Sequence, residues 1–232
     1  YVWGRNQCGQ LGLGHQTNIS TPQELNLYGE HIILVECGEF YTIALTNENK
    51  CYVWGDNNCG QLGLGHNVSQ NVPQELEELR LLNIISISCG GYHTAVLTSL
   101  GKIYIWGDNN NGQSGLGYHR RIFHNTPQEL FLPGIISIKC GYKHTIALTS
   151  GGNVFVWGGN SLGELGLDCD MNERNIPHKL SLKEHIESIY CGGWHTIVVT
   201  STGKIYVWGD NMNRQLGLGD TKIRYSPCEL KF

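Results

Sequence analysis

The stretch Trp54-Gly55-Asp56-Asn57-Asn58-Cys59-Gly60-Gln61-Leu62-Gly63-Leu64-Gly65 follows Tyr52-Val53 and is one copy of a phrase that runs through the chain. Its counterparts begin at Val2-Trp3-Gly4, Tyr104-Ile105-Trp106-Gly107, Phe155-Val156-Trp157-Gly158 and Tyr206-Val207-Trp208-Gly209. The tryptophans therefore fall 51, 52, 51 and 51 residues apart. Each copy leads to a short Pro-x-Glu-Leu, at Pro22 to Leu25, Pro73 to Leu76, Pro127 to Leu130 and Pro227 to Leu230, with Pro177-His178-Lys179-Leu180 as a degraded copy. A fixed period of this size marks a solenoid, a propeller or an array.

The local pattern selects the propeller. Ile84 to Cys89, His93 to Thr98 and Lys102 to Trp106 are short runs rich in β-branched and aromatic residues, bounded by Gly, Asn or Ser and too short for helices. The hairpin Thr98-Ser99-Leu100-Gly101-Lys102 recurs as Thr200 to Lys204, and Asn49 stands where these copies have Gly101 and Gly203. Gly and Asn share a tolerance for φ > 0, so this is expected to be a left-handed turn position. Three strands and a short fourth at Pro-x-Glu-Leu make one antiparallel sheet. Both faces of Tyr104-Ile105-Trp106 are apolar, so the sheet must be sandwiched between neighbours, and radial stacking does this. The expected fold is all-β, a β-propeller of four-stranded antiparallel blades. The expected boundaries are a half blade at 1–25 and blades at 31–76, 84–130, 135–180 and 185–230, within one propeller fragment spanning 1–232.

Composition narrows the function. The chain has 31 glycines in 232 residues and a charge of −4 from 16 basic and 20 acidic side chains. That balance gives no reason to expect direct nucleic-acid binding, which needs dense Lys and Arg. No apolar run approaches the roughly 18 residues of a membrane helix, so no membrane partner is expected. Nine cysteines without a Cys-x-x-Cys pair fit reduced, mostly buried thiols. Such thiols point to a cytoplasmic and/or nuclear setting.

The phrases Cys89-Gly-Gly-Tyr-His-Thr-Ala-Val-Leu-Thr98 and Trp54 to Gly65 resemble the regulator of chromosome condensation repeat, and the match covers essentially the whole chain. The resemblance implies a seven-bladed propeller. Seven blades at this period need about 360 residues. The chain is therefore expected to hold about four and a half blades and to be a fragment of a longer ring.

Several motifs invite chemistry. Gly60-x-x-Gly63-x-Gly65 reverses the dinucleotide fingerprint and recurs in every repeat, so it reads as an inter-blade crossing and no cofactor is expected. Cys89 and His93, Cys140 and His144, and Cys191 and His195 repeat as Cys-x-x-x-His, whereas Tyr41 follows Cys37. Zinc needs three or four ligands and one blade offers two, so these residues read as structural and no metal is expected. Asp108-Asn109-Asn110-Asn111-Gly112 resembles the start of a calcium loop but departs from it at Gln113 and His119. Trp3, Trp54, Trp106, Trp157 and Trp208 read as repeat core, because burying about 200 Å² of each contributes roughly 5 kcal/mol. No catalytic residues are expected.

Loops that break the period are the better guide, since partners read a propeller's loops. Tyr118-His119-Arg120-Arg121-Ile122-Phe123-His124-Asn125-Thr126 has nine residues where most copies have seven, and it is basic and aromatic. Tyr118, His119, Arg120, Arg121 and Phe123 are the candidate partner-binding loop. The loop Asp168 to Arg174 is acidic by contrast. The expected function is a non-catalytic protein–protein interaction scaffold. The resemblance allows it to sit within a larger ubiquitin-ligase or BTB-type protein. The alternative the resemblance carries is guanine-nucleotide exchange on a Ran-type small GTPase, which depends on a wedge-like insertion. The repeats here are uniform and leave no room for one.

Overall fold

The structure is a computed structural model that describes residues 1–27, 29–117, 123–168 and 170–231. Strands β3 (Ile32–Cys37), β4 (Tyr41–Thr46), β5 (Cys51–Gly55) and β6 (Gln70–Glu75) form one antiparallel sheet in that order. The pattern repeats with β7 (Ile84–Cys89), β8 (His93–Thr98), β9 (Ile103–Gly107) and β10 (His124–Leu130). A third sheet holds β11 (Ile135–Cys140), β12 (His144–Thr149), β13 (Val154–Gly158) and β14 (Arg174–Lys179). The fourth holds β15 (Ile186–Cys191), β16 (His195–Thr200), β17 (Ile205–Gly209) and β18 (Arg224–Leu230). At the start of the chain β1 (Val2–Gly4) pairs with β2 (Ile19–Gln23) alone. The fold is thus an all-β propeller of four-stranded antiparallel blades. Among the described residues no helix is long and apolar enough to cross a membrane.

The hairpin between the second and third strands turns through a left-handed residue, with φ of 63° at Asn49, 72° at Gly101 and 82° at Gly203. Consecutive sheets face one another across apolar layers. Ile84, Ile87 and Val96 pack with Leu45, Val53 and Leu62 of the preceding blade, and Ile186, Ile189 and Val198 pack with Ile146, Val156 and Leu165.

The glycine phrase ties each blade to the next. In every repeat the Asn side chain closes the loop on backbone five residues on, as when Leu62 N–H donates to Asn57 Oδ1 at 3.0 Å. The loop then reaches across the boundary, where the Gln61 carbonyl accepts from Trp106 Nε1 at 2.9 Å and Thr94 Oγ1 at 3.0 Å. The Gln113 carbonyl does the same for Trp157 and Thr145, and the Glu164 carbonyl for Trp208 and Thr196. Gly63, at φ +76°, lies against the indole it covers, and a Cβ there would stand 2.8 Å from Trp106 Nε1.

Trp106, Trp157 and Trp208 are fully buried and Trp54 nearly so, but Trp3 is 58% exposed. Each buried tryptophan is covered by the glycine phrase of the repeat before it, with Gly12, Gly63, Gly115 and Gly166 lying against Trp54, Trp106, Trp157 and Trp208. The exposed Cys37 likewise departs from the buried setting of Cys140. Cys37 and Trp3 both line a cavity of about 420 Å³ with Leu25, Ile32 and Trp54, between the two-stranded sheet and the first full blade.

Candidate functional site

The inner strands β3, β7, β11 and β15 end at Cys37, Cys89, Cys140 and Cys191, which ring one mouth of the central channel around a cavity of about 370 Å³. From each of these ends a tight turn leads into the second strand. The glycine after each cysteine is fixed by packing: a Cβ on Gly90 would lie 2.2 Å from His93 Cε1, and one on Gly141 2.0 Å from His144 Cε1. The turns are laced together by backbone, with Gly91 N–H donating to the Tyr142 carbonyl at 3.2 Å and Tyr142 N–H to the Gly193 carbonyl at 2.7 Å. The next two positions carry the variable side chains Glu39-Phe40, Gly91-Tyr92, Tyr142-Lys143 and Gly193-Trp194.

Those side chains form a rim. Phe40 and Tyr92 have ring centroids 6.4 Å apart, Tyr92 meets Tyr142 edge-on at 5.8 Å, and Tyr142 lies 4.8 Å from Trp194. Cations sit near both ends of the series, Arg5 at 4.8 Å from the Phe40 centroid and Lys143 Nζ at 5.7 Å from that of Trp194. The Tyr142 hydroxyl donates to the Glu39 carboxylate. Partial burial and this carboxylate together raise the proton affinity of Tyr142, so it stays a neutral donor. Phe40, Tyr92, Tyr142 and Trp194 are all half-buried, so packing neighbours hold each ring while part of it meets solvent. Amphipathic rings and cations held in place in this way are the chemistry of protein-binding hot spots.

Behind the rim runs a polar belt that crosses the blade boundaries. Tyr41 OH donates to the His93 carbonyl at 2.6 Å. His93 Nε2 lies 3.0 Å from Thr145 Oγ1, and His144 Nε2 lies 3.1 Å from Thr196 Oγ1. Each threonine hydroxyl already donates to a backbone carbonyl, so the histidine Nε2 carries the proton and donates. Burial lowers both histidines to a pKa of about 3 and keeps them neutral. The Cys140 thiol is pushed up to about 12 by burial, and those of Cys89 and Cys191 well above the ordinary range. A thiol that keeps its proton is a poor metal ligand. Among the described residues no group of three or more His, Cys, Asp or Glu side chains is placed to hold a metal.

Among the four full blades, one departs from the others close to the rim. In three blades a glutamine donates to an aspartate: Gln61 to Asp56 at 2.7 Å, Gln113 to Asp108 at 2.9 Å and Gln215 to Asp210 at 2.6 Å. In the blade of β11–β14 these two positions are Glu164 and Gly159. Glu164 is 1% exposed and accepts from Leu162 N–H at 2.8 Å. It lines a cavity of about 150 Å³ together with Lys143, Glu173, Asn111 and Trp194. The sequence signal for this site was the change from Gly-Asp-Asn and Gly-Gln-Leu to Gly158-Gly159-Asn160 and Gly163-Glu164-Leu165.

Of the candidate partner-binding loop, Tyr118, His119, Arg120 and Arg121 lie outside the described residues. Phe123 is 42% exposed just before β10. The rim residues were not singled out from sequence, because they come from turns about fifty residues apart.

The RCC1-like domain model matches residues 1–232. The chain is 35% identical to the ultraviolet-B receptor UVR8 of Arabidopsis thaliana over 238 residues, covering all of this chain and 53% of that protein. It is 36% identical to the probable E3 ubiquitin-protein ligase HERC4 of Homo sapiens over 225 residues, which is 94% of this chain and 21% of HERC4. The solved structure of Prp20p from Saccharomyces cerevisiae, a study that also concerns its binding to Gsp1p and histones, superposes with a TM-score of 0.84 at 25% identity. That match covers 99% of this chain and 58% of Prp20p. The chain thus spans about half of UVR8 and about a fifth of HERC4. With its repeat, its blades and its full-length match to the domain model, the chain belongs to the RCC1-like domain family.

Proposed function

We propose that this chain is a non-catalytic protein-interaction scaffold whose docking surface is the rim Arg5, Phe40, Tyr92, Tyr142, Trp194 and Lys143. The observation that carries the reading is the unbroken series of ring contacts from Phe40 to Trp194 across all four full blades. A single aromatic at a repeat position is core packing, whereas a half-buried series around one mouth is a surface built for contact. Prp20p, whose published study concerns binding to Gsp1p and histones, supports protein binding as the role of this fold. The basic segment Tyr118 to Arg121 is a second contact in this reading, on the strength of its sequence.

The test is quantitative capture of cellular proteins by the wild-type chain, by the Phe40→Ser, Tyr92→Ser double variant and by Leu100→Asp, which alters an 83% exposed side chain in the opposite-end hairpin. The rim variant loses the wild-type interactors at least tenfold at an unchanged melting temperature, and Leu100→Asp keeps them. The reverse pattern overturns the reading. Guanine-nucleotide exchange is the competing reading, favoured by the likeness to Prp20p. Catalytic amounts of the protein leave release of fluorescent GDP from a Ran-type GTPase unchanged if the scaffold reading holds, and a many-fold acceleration replaces it.

A further inference from the structure

The blade of β7–β10 carries an apolar surface that the fold does not require. Leu100, in the hairpin between β8 and β9, is 83% exposed, and Phe131, just beyond β10, is 85% exposed. Leu100 stands where the other three full blades have Glu48, Gly151 and Thr202. Phe131 follows the buried Leu130, and its counterparts are Glu77, Ser181 and Lys231. Polar or small residues fill both positions elsewhere, so neither side chain is needed for packing within the chain.

The two side chains wall one cavity of about 210 Å³, together with Leu132, Pro133, Lys102 and Glu129. Apolar side chains scattered singly over a surface carry no meaning, but two that share one recess form a contact surface. Lys102 Nζ lies 3.1 Å from the Glu129 carboxylate, which also accepts from the Tyr104 hydroxyl at 3.4 Å. The lysine and the glutamate are each nearly half exposed. Their charges cancel, so the patch offers no field of one sign to draw a charged ligand. It offers an apolar protrusion, an apolar recess and both members of an ion pair. A surface that holds both halves of each complement fits a second copy of itself.

We infer that this surface pairs two copies of the chain about a two-fold axis, with Phe131 of each copy entering the cavity of the other and the two Lys102–Glu129 pairs meeting head to tail. An apolar cavity of about 150 Å³ already accepts benzene, so this one has room for a phenyl ring. The two-fold axis sets each Lys102 against the Glu129 of the other copy, and the four charges alternate in sign around the contact. Leu100, Phe131, Leu132 and Pro133 bury less than the roughly 800 Å² per partner of a stable complex, so the pair is transient, with a dissociation constant on the order of 100 µM. The hairpin lies at the opposite end of the blades from the rim. Pairing therefore leaves the rim free, and the inference does not depend on it.

Sedimentation velocity of the full chain, from about 10 µM to about 1 mM, brackets that constant. The wild type passes from monomer to dimer over this range and grows no further, as a closed two-fold contact requires. Phe131→Asp, at an exposed position, keeps its melting temperature and weakens association roughly tenfold or more. Lys102→Glu and Glu129→Lys each weaken association when alone, and an equimolar mixture of the two recovers it. In the mixture the two carboxylates of one copy face the two ammonium groups of the other, a rescue that general stickiness does not produce. A wild type that stays monomeric throughout, growth beyond the dimer, undiminished association of Phe131→Asp, or a mixture no stronger than either charge variant overturns the inference.

Discussion

Tyr142 and Trp194 come from successive blades and lie with ring centroids 4.8 Å apart and planes tilted by 31°. The contact exists because Tyr142 occupies a position that is glycine in the two flanking turns, Gly91 and Gly193. It joins two blades at the surface, in addition to their apolar layer. A double-mutant cycle of Tyr142→Ala and Trp194→Ala is expected to give a coupling of about 0.5–1.5 kcal/mol in urea denaturation. A coupling indistinguishable from zero would mean that the rings are neighbours without interaction.

The Gln113 carbonyl accepts from Trp157 and Thr145 together, and Thr145 also receives His93. Thr145→Val preserves the volume but leaves the buried His93 N–H without an acceptor. It is expected to destabilise the chain by about 1–3 kcal/mol. Thr46, which is also buried but takes no part in the belt, provides the comparison: Thr46→Val is expected to cost less, and equal losses at the two sites would refute a special role for the belt.

The belt histidines make the fold acid-sensitive. Burial lowers His93 and His144 from 6.5 to about 3, so the unfolded chain takes up protons before the folded one. Their stabilising contribution is full above about pH 6.5 and is lost as the pH falls toward 3, by up to about 1.4 kcal/mol per pH unit for each histidine. Urea midpoints across this range should fall for the wild type and flatten for His144→Gln, whose amide can still donate to Thr196. Parallel curves for the two proteins would contradict the assignment.

Glu164 gives the opposite sign. Burial raises its proton affinity in the folded chain, with Asp210 acting in the same direction and Lys143 opposing it, while Glu173 faces it across the cavity. Its stabilising contribution is present below the ordinary carboxylate range and is lost as the pH rises through the raised value. Glu164→Gln should therefore match the wild type in mild acid and exceed it near neutrality. Identical pH profiles would show that the carboxylate is solvated in the folded chain.

The blades were legible because each strand is a short β-branched run and every repeat restates the same tryptophan and glycines. The tryptophans were less uniform than they read. Trp106 is covered by Gly63 of the preceding repeat, whereas Trp3 is exposed. The rim was hidden because Phe40, Tyr92, Tyr142 and Trp194 occupy variable positions, and only closure of the blades around the channel brings them together. Gly159 and Glu164 were visible as departures from the repeat. Their meaning depended on knowing that the aspartate and glutamine are hydrogen-bonded in the other blades.

The most direct test of rim docking is a hydrogen-exchange footprint of the chain with a captured protein partner bound. Protection is predicted in the turns 38–41, 90–93, 141–144 and 192–195, with the hairpins at 99–102, 150–153 and 201–204 unchanged. Protection confined to those hairpins would place the partner at the other end of the channel and contradict the account.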